Sequence, residues 1–344
     1  MANRTEDVVQ YILNEVRSGA WEPGSRILSQ LSLTRILGCS RTTVERAVAR
    51  LCRAGVLDSR RGSGTFVCGG DPRRDDEPPR EIAVIAGVFE HLQRFSFGEM
   101  FNELDSCGLP VRWMTAGQAL AALPELRRRR SAVIAYMPDP PMLLLLEELR
   151  ALHLPVLLIN RAYGGFDCVT TDVETSLRNG ISWLAGKAGP DAVPALVSAL
   201  PDQRRPYLAE RIIASYEICM ELQLSLQPEH IIKRDFDRDG DEADNLIADT
   251  FFRRVRKPLA IIAPNYETAG RCLEIGSRCR KRCGRDFFLL SFDMIRSSGW
   301  ITGAAVLVQQ YPLFRPRIEQ WIRQSLHGDR SFFSARIPAR LLTT

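Results

Sequence analysis

Lysine and histidine are scarce in this chain. Among 344 residues the only lysines are Lys187, Lys233, Lys257 and Lys281, and none stands in a setting that suits a Schiff base to pyridoxal. The histidines, His91, His153, His230 and His327, are scattered and make no metal cluster. No Ser-His-Asp arrangement, phosphate loop or paired-carboxylate signature stands out, so an enzyme is the least supported class. No apolar run is long enough to span a bilayer, and the first thirty residues lack the basic-then-apolar order of a signal peptide. Nine cysteines, an odd number at irregular spacings, read as reduced thiols of a cytoplasmic protein rather than a disulfide framework.

Two partial metal signals fail on their own terms. The stretch "DFDRDGDEADNL" opens like a calcium loop with Asp235, Asp237, Asp239 and Gly240, but Leu246 stands where a bidentate Glu belongs. It is expected to be a solvated loop that caps the next helix. Cys272, Cys279 and Cys283 could share a helix face, yet no histidine lies near them. No metal and no cofactor is expected. The run "LRRRR" at 126–130 reads as a helix end against its dipole rather than a polyanion-binding patch.

What the chain does have is a lopsided charge. The formal net charge is only +5, but residues 1–70 hold ten arginines against six acids, a weak footprint of a polyanion-binding module. The segment "DPRRDDEPPRE" is charged, proline-rich and free of large apolar residues, as an exposed linker would be. The expected domains are therefore 1–70, a linker at 71–80, and 81–344.

Before the linker, apolar residues recur at helical spacing in Val9, Ile12, Leu13 and Val16, in Leu33, Ile36 and Leu37, and in Val44, Ala47, Val48 and Leu51. Three short helices follow, and "VLDSRRGSGTFVCG" then reads as two strands around a basic turn. In the third helix Ser40 is a good N-cap. The stripe from Val44 to Leu51 puts Thr42 and Arg46 on the opposite face, with Arg41, Thr43 and Glu45 on its flanks. Beyond the linker, runs such as "IAVIAGV", "SAVIAYM", "PVLLINR", "PLAIIAP" and "FFLLSFD" alternate with helical stretches, which implies parallel α/β sheets.

The order helix, "WEPGSRI" turn, short helix, Gly38-Cys39, helix and basic wing resembles the winged helix-turn-helix of the GntR family of bacterial transcription regulators. The resemblance covers residues 5–67 without a gap. It implies that Ser40, Arg41, Thr42 and Thr43 lie at the major groove of duplex DNA, with Arg61 and Gly62 at the wing tip in or beside the minor groove. Leu31 stands where the family has an arginine, and Glu45 replaces another. Glu45 has two readings: it accepts from a cytosine amino group, or it pairs with Arg41 one turn back. Arg46 is placed to supply a lost phosphate contact.

Residues 81–340 resemble, loosely but in consistent order, the two-lobed effector domain of the LacI family, built like a type I periplasmic binding protein. The landmarks are "REIAVIAGV", "SAVIAYMP", "LPVLLINR", "CVTTDVETSLRNGISWL", "AERIIASYEICMEL", "PLAIIAPNYETAGRCLEIG" and "FFLLSFDMI". The resemblance implies lobe 1 near 81–161 and 295–325, and lobe 2 near 162–294 and 326–344. It further implies a sugar-like effector in an interlobe cleft, met by Asn160, Arg211, Asn265 and Asp293, with Phe89, Phe95 and Trp300 as stacking walls or plain core. Arg211 and Asp293 have an alternative reading as a structural interlobe pair. Tyr266 where the family has Asp, and the offset of Arg211 from Ser215-Tyr216, depart from the pattern. The function so implied is a dimeric, cytoplasmic, ligand-responsive regulator of transcription, repression being the usual mode. The alternative is a constitutive or architectural DNA-binding protein whose second domain only dimerises or senses a non-sugar ligand.

Overall fold

The computed structural model describes residues 4–17, 20–22, 24–53, 56–60, 64–67, 78–86, 108–152, 154–202, 205–293, 302–327 and 331–343. The chain divides into two compact units, 1–170 with 311–336, and 171–310 with 337–344.

The first unit begins with the head. Helices α1 (Arg4–Arg17), α2 (Gln30–Leu37) and α3 (Arg41–Arg53) precede the antiparallel strands β1 (Leu57–Arg60) and β2 (Gly64–Val67). Val8, Val9, Ile12, Leu33, Val44, Ala47, Val48, Leu51, Leu57 and Val67 are buried in one core. Of the periodic residues in the sequence, Val9, Ile12, Leu33 and the stripe Val44, Ala47, Val48 and Leu51 are in that core and Leu13, Val16 and Leu37 pack at its margin, whereas Ile36 is 56% exposed. Ser29 caps α2 by accepting from the Ser32 N–H at 3.1 Å. Gly38 ends the helix at φ 59°, a left-handed position where a side chain would be strained. The "WEPGSRI" turn does more than turn. Ile27 N–H donates to Thr65 O at 2.9 Å, and Val67 N–H to Ser25 O at 2.9 Å, so the wing gains a third backbone segment.

The rest of the first unit is a six-stranded sheet in the order β13-β7-β6-β5-β3-β4: β3 (Ile82–Ala86), β4 (Val111–Met114), β5 (Ala132–Tyr136), β6 (Val156–Ile159), β7 (Asp167–Asp172) and β13 (Ser334–Pro338). Helices α4 (Ala116–Ala121), α5 (Leu123–Arg129), α6 (Leu143–Ala151) and α11 (Phe314–Leu326) belong to it. All residues of β3, β5 and β6 are buried, which explains their unbroken apolar runs: a parallel strand inside a covered sheet has no wet face. The "LRRRR" run ends α5, with Arg130 as a left-handed C-cap.

The second unit is a six-stranded sheet in the order β14-β12-β11-β10-β8-β9. Its strands are β8 (Val193–Ala199), β9 (Ile231–Arg234), β10 (Leu259–Ala263), β11 (Phe287–Phe292), β12 (Ala304–Val308) and β14 (Arg340–Thr343); only β12 with β14 runs antiparallel. Its helices are α7 (Val173–Ala188), α8 (Tyr207–Glu221), α9 (Phe236–Ile247) and α10 (Tyr266–Arg278). Asp235 caps α9 through the Arg238 N–H at 3.3 Å, so the acidic stretch is a helix start.

The crossings fall later than the landmarks suggested, at 170/171, 310/311 and 336/337. Strand pairing is the reason. β7 still pairs with β6 through Leu158↔Cys168 and Ile159↔Val169, while β12 pairs with β11 and so keeps residues 304–308 in the second unit.

Candidate functional site

Two surfaces bear chemistry, one in the head and one in the second unit. In the head, Val44, Ala47, Val48 and Leu51 bury one face of α3, which turns Ser40, Arg41, Thr42, Glu45 and Arg46 to the exposed side. Ser40 Oγ accepts from the Thr43 N–H at 3.1 Å and lies 2.8 Å from Thr43 Oγ1. Thr43 therefore serves the cap and is half-buried, leaving Ser40, Arg41, Thr42 and Arg46 as the more open donors. Arg41 Nε donates to Glu45 Oε1 at 2.8 Å, the pairing alternative. Leu31 is 59% exposed at the position of the expected arginine. Arg61 and Gly62 lie outside the described residues.

In the second unit Arg211 and Asp293 meet at the carboxyl ends of the strands, and Asn265 follows the Pro264 carbonyl that Arg211 also reaches. Arg211 rises from α8, is buried, and donates from one Nη1 to Pro264 O at 2.8 Å and to Asp293 Oδ2 at 3.0 Å. Its guanidinium stacks 3.7 Å from the Phe292 ring centroid and 4.6 Å from that of Tyr207. Those rings shed water without supplying competing donors, which strengthens the Arg211–Asp293 attraction. Arg211 Nε is buried without a hydrogen-bond partner. The pair lies wholly in the second unit, so its reading as an interlobe bridge is corrected: the crossing at 310/311 comes after Asp293.

Asp293 follows β11 at φ 68°, a left-handed conformation that Asp tolerates better than most side chains. Its N–H donates to Leu307 O at 2.9 Å, and Ser291 Oγ donates to its carbonyl at 3.0 Å. Its second carboxylate oxygen, Oδ1, accepts from Gln309 Nε2 at 2.7 Å. Gln309 was missed by sequence reasoning; no motif marks it, because its partners are distant in the chain. Asn265 is only 1% exposed and works as the N-cap of α10, its Oδ1 accepting from the Thr268 N–H at 3.1 Å. Thr268 Oγ1 is also buried and unpartnered.

In the first unit Asn160 ends β6 at φ 58°, and its Nδ2 donates to the Tyr311 hydroxyl at 3.3 Å. Phe89, Phe95 and Trp300 lie outside the described residues. Burial pushes the Cys219 thiol up to about 11, and those of Cys272 and Cys283 up to about 12, so none is a ready thiolate. Among the described residues no group of three or more His, Cys, Asp or Glu side chains could hold a metal ion, and no helix is long and apolar enough to cross a membrane.

A winged helix-turn-helix head and an α/β body with two largely parallel sheets define the class by fold. The head itself is a gntR-family domain, since residues 4–67 match the model described as "Bacterial regulatory proteins, gntR family". Over 60 residues, 17% of this chain and 24% of that protein, it is 43% identical to the histidine utilization repressor of Pseudomonas aeruginosa. Over 62 residues, 18% of this chain and 26% of that protein, it is 42% identical to the histidine utilization repressor of Klebsiella aerogenes. The match thus spans about a quarter of these relatives' length. Both relatives are named as repressors.

The fold of the body is that of LacI-like regulators. A transcriptional regulator CelR in complex with cellobiose superposes with TM-score 0.60 at 12% identity, covering 90% of this chain and 93% of that one. The lac repressor dimer bound to operator and the anti-inducer ONPF gives 0.59 at 14% identity, covering 77% and 92%. A periplasmic binding protein/LacI transcriptional regulator from Alkaliphilus metalliredigens, complexed with D-xylulofuranose, gives 0.52 at 11%, covering 76% and 97%.

Proposed function

We propose that this chain is a cytoplasmic, ligand-responsive transcription regulator that binds operator DNA as a dimer and represses in the absence of its effector. The observation that carries the reading is the first turn of α3 in a gntR-family head: Ser40, Arg41, Thr42 and Arg46 are exposed while the opposite face is buried. Such a turn fits the major groove, where Arg reads guanine or phosphate and hydroxyls take either base edges or phosphates. Arg61 and Gly62 complete the surface at the wing by family resemblance.

The effector we propose is sugar-like and meets Asp293 and Arg211, with Asn160 as a further candidate and Phe89, Phe95 and Trp300 as stacking walls. A carboxylate held in a fixed plane beside a guanidinium suits vicinal hydroxyls. Asn265, occupied as a helix cap, contributes by fixing the start of α10. Ligands named with the neighbouring structures, cellobiose and D-xylulofuranose, agree in class with this reading.

The test is selection from random DNA duplexes by the full chain, followed by salt-titrated binding of the enriched sequence. Enrichment of a two-fold repeated motif supports the reading, and absence of any enrichment would sink it. A second reading, a constitutive DNA-binding protein, is favoured by one observation: both Asp293 oxygens already have donors within the chain. A thermal-shift panel of D-xylose, L-arabinose, D-glucose and cellobiose separates the two. A site filled at about 100 times its dissociation constant adds about 2.7 kcal/mol, an easily seen shift.

A further inference from the structure

One side chain in the second unit joins the candidate effector carboxylate to the places where the chain leaves that unit. Gln309 stands one residue short of the crossing at 310/311, and Thr171 is the first residue after the crossing at 170/171. Thr171 Oγ1 donates to Gln309 Oε1 at 2.7 Å, and Gln309 Nε2 donates to Asp293 Oδ1 at 2.7 Å. The next residue, Gln310, donates from Nε2 to Pro338 O at 2.9 Å, just beyond the third crossing at 336/337. A run of hydrogen bonds therefore leads from Thr171 through Gln309 to Asp293, and from Asp293 through Arg211 to Pro264 O.

The chemistry fixes the amide's orientation. A carboxylate only accepts, so the Gln309 nitrogen must face Asp293; its oxygen is then left for the Thr171 hydroxyl. Flipping the amide would set oxygen against oxygen on the Asp293 side. No other neutral side chain of that length offers one donor and one acceptor in a plane.

We propose that Gln309 is a positioning residue: it sets the Asp293 carboxylate for the effector and passes the state of that carboxylate to the three crossings. The proposal rests on the reading of Asp293 and Arg211 as effector contacts. An effector hydroxyl donating to Asp293 adds a further donor to oxygens that already accept from Gln309 and Arg211, and so shifts the carboxylate those two hold in place. The response of Gln309 is borne by residues 309–310 and Thr171, and these crossings are the covalent routes between the two units.

The experiment uses the full chain with Gln309→Met, which keeps length and removes both hydrogen bonds, Gln309→Glu and Thr171→Val. Hydrogen–deuterium exchange is followed without ligand in peptides covering 168–175, 305–312 and 335–341, each variant against wild type at the same pH. Gln309→Met is expected to exchange faster in all three segments, and Thr171→Val in the first two. Gln309→Glu opposes two carboxylates at about pH 8, while a proton shared between them restores one hydrogen bond at about pH 5. Its protection should therefore recover on acidification, a readout that simple loss of packing does not give. Any panel sugar that shifts wild type should bind Gln309→Met about tenfold more weakly, the effect of losing a hydrogen bond to a charged group. Wild-type exchange in Gln309→Met, loss confined to 305–312, or a loss in Gln309→Glu that ignores pH would each overturn the proposal. Silence of the panel against wild type would remove the sugar reading, and the exchange data would still decide the role of Gln309.

Discussion

Arg41 and Glu45, one helical turn apart at the exposed start of α3, are joined by a 2.8 Å bond from Nε to Oε1. Their side chains are 78% and 45% exposed, so the pair adds at most about 0.5 kcal/mol to the fold. Its consequence lies in binding. On the proposed DNA-binding reading, the carboxylate occupies the arginine that would otherwise reach phosphate or guanine, and it brings a negative charge toward the duplex. Glu45→Gln should leave urea unfolding unchanged within about 0.5 kcal/mol and tighten DNA binding at low salt several-fold. Arg41→Ala should weaken it and reduce the salt slope by about 1. Salt-titrated fluorescence anisotropy of both variants checks the pair; equal slopes for Arg41→Ala and wild type would remove Arg41 from the interface.

A second electrostatic feature is structural. Glu81, immediately before β3, is buried, and it accepts from Ser131 Oγ at 2.5 Å, Arg112 Nη2 at 3.0 Å and Arg129 Nη1 at 3.3 Å. Glu125 bridges the same two arginines at 3.1 and 3.0 Å. Removing the central carboxylate leaves the buried Ser131 hydroxyl with only the Leu126 carbonyl, at 3.2 Å, and the two arginines with Glu125 as their remaining shared partner. Both arginines reach solvent, so the loss should fall below that of a fully enclosed pair. Glu81→Ala is expected to cost about 2 kcal/mol in urea unfolding, and Glu81→Gln less, because Ser131 keeps an acceptor.

The sheets were legible in the sequence for a physical reason that also marks the limit of such reading. β3, β5, β6 and β10 are covered on both faces, so nearly every residue is apolar and the run is visible without context. β9 (Ile231–Arg234) and β14 (Arg340–Thr343) lie at sheet edges with half their residues exposed, and their short mixed runs gave no signal. The α3 surface was legible because helical periodicity alone assigns faces. Asp293 and Arg211 came through family resemblance, whereas Gln309 and Thr171 did not. Their bond joins residues 138 positions apart, and nothing local distinguishes them from surface amides and hydroxyls.

Acid sensitivity should have a contribution from Asp286. Its Oδ2 accepts the Arg282 backbone N–H at 2.8 Å and the Arg285 Nη2 at 2.8 Å, which holds its carboxyl below the usual 3.8. The backbone hydrogen bond is the larger cause, followed by the one from Arg285. A depressed folded-state value means that the stabilisation is complete above the unfolded value and is lost as pH falls through the folded one. Asp286→Asn should therefore be less stable than wild type near neutrality. The gap should close below the ordinary carboxylate range. Urea midpoints of both proteins across that range check this; a gap that persists unchanged to the lowest pH would assign the loss to packing.

Among the described glycines of the second unit, the strictest steric demand falls on Gly303, just ahead of β12. Its φ is +82°, and a Cβ there would lie 2.2 Å from Gly284 Cα and 2.3 Å from Gly284 N. Both obstacles are backbone, so no rotamer change relieves them. Gly284 in turn donates its N–H to Phe287 O at 2.8 Å, and Gly303 O accepts from the Leu289 N–H at 3.1 Å, which ties both glycines to β11. An alanine at 303 must push the strands apart or break one of these bonds. Gly303→Ala is expected to cost about 3 kcal/mol, from the left-handed φ and the overlap together. Gly186, inside α7, meets nothing within 4 Å and has no positive φ. Gly186→Ala should raise stability by up to about 1 kcal/mol through helix propensity alone. Opposite signs for the same substitution in urea unfolding would separate steric demand from backbone entropy. A mild effect at 303 would mean that the β11–β12 pairing yields more readily than its backbone contacts imply.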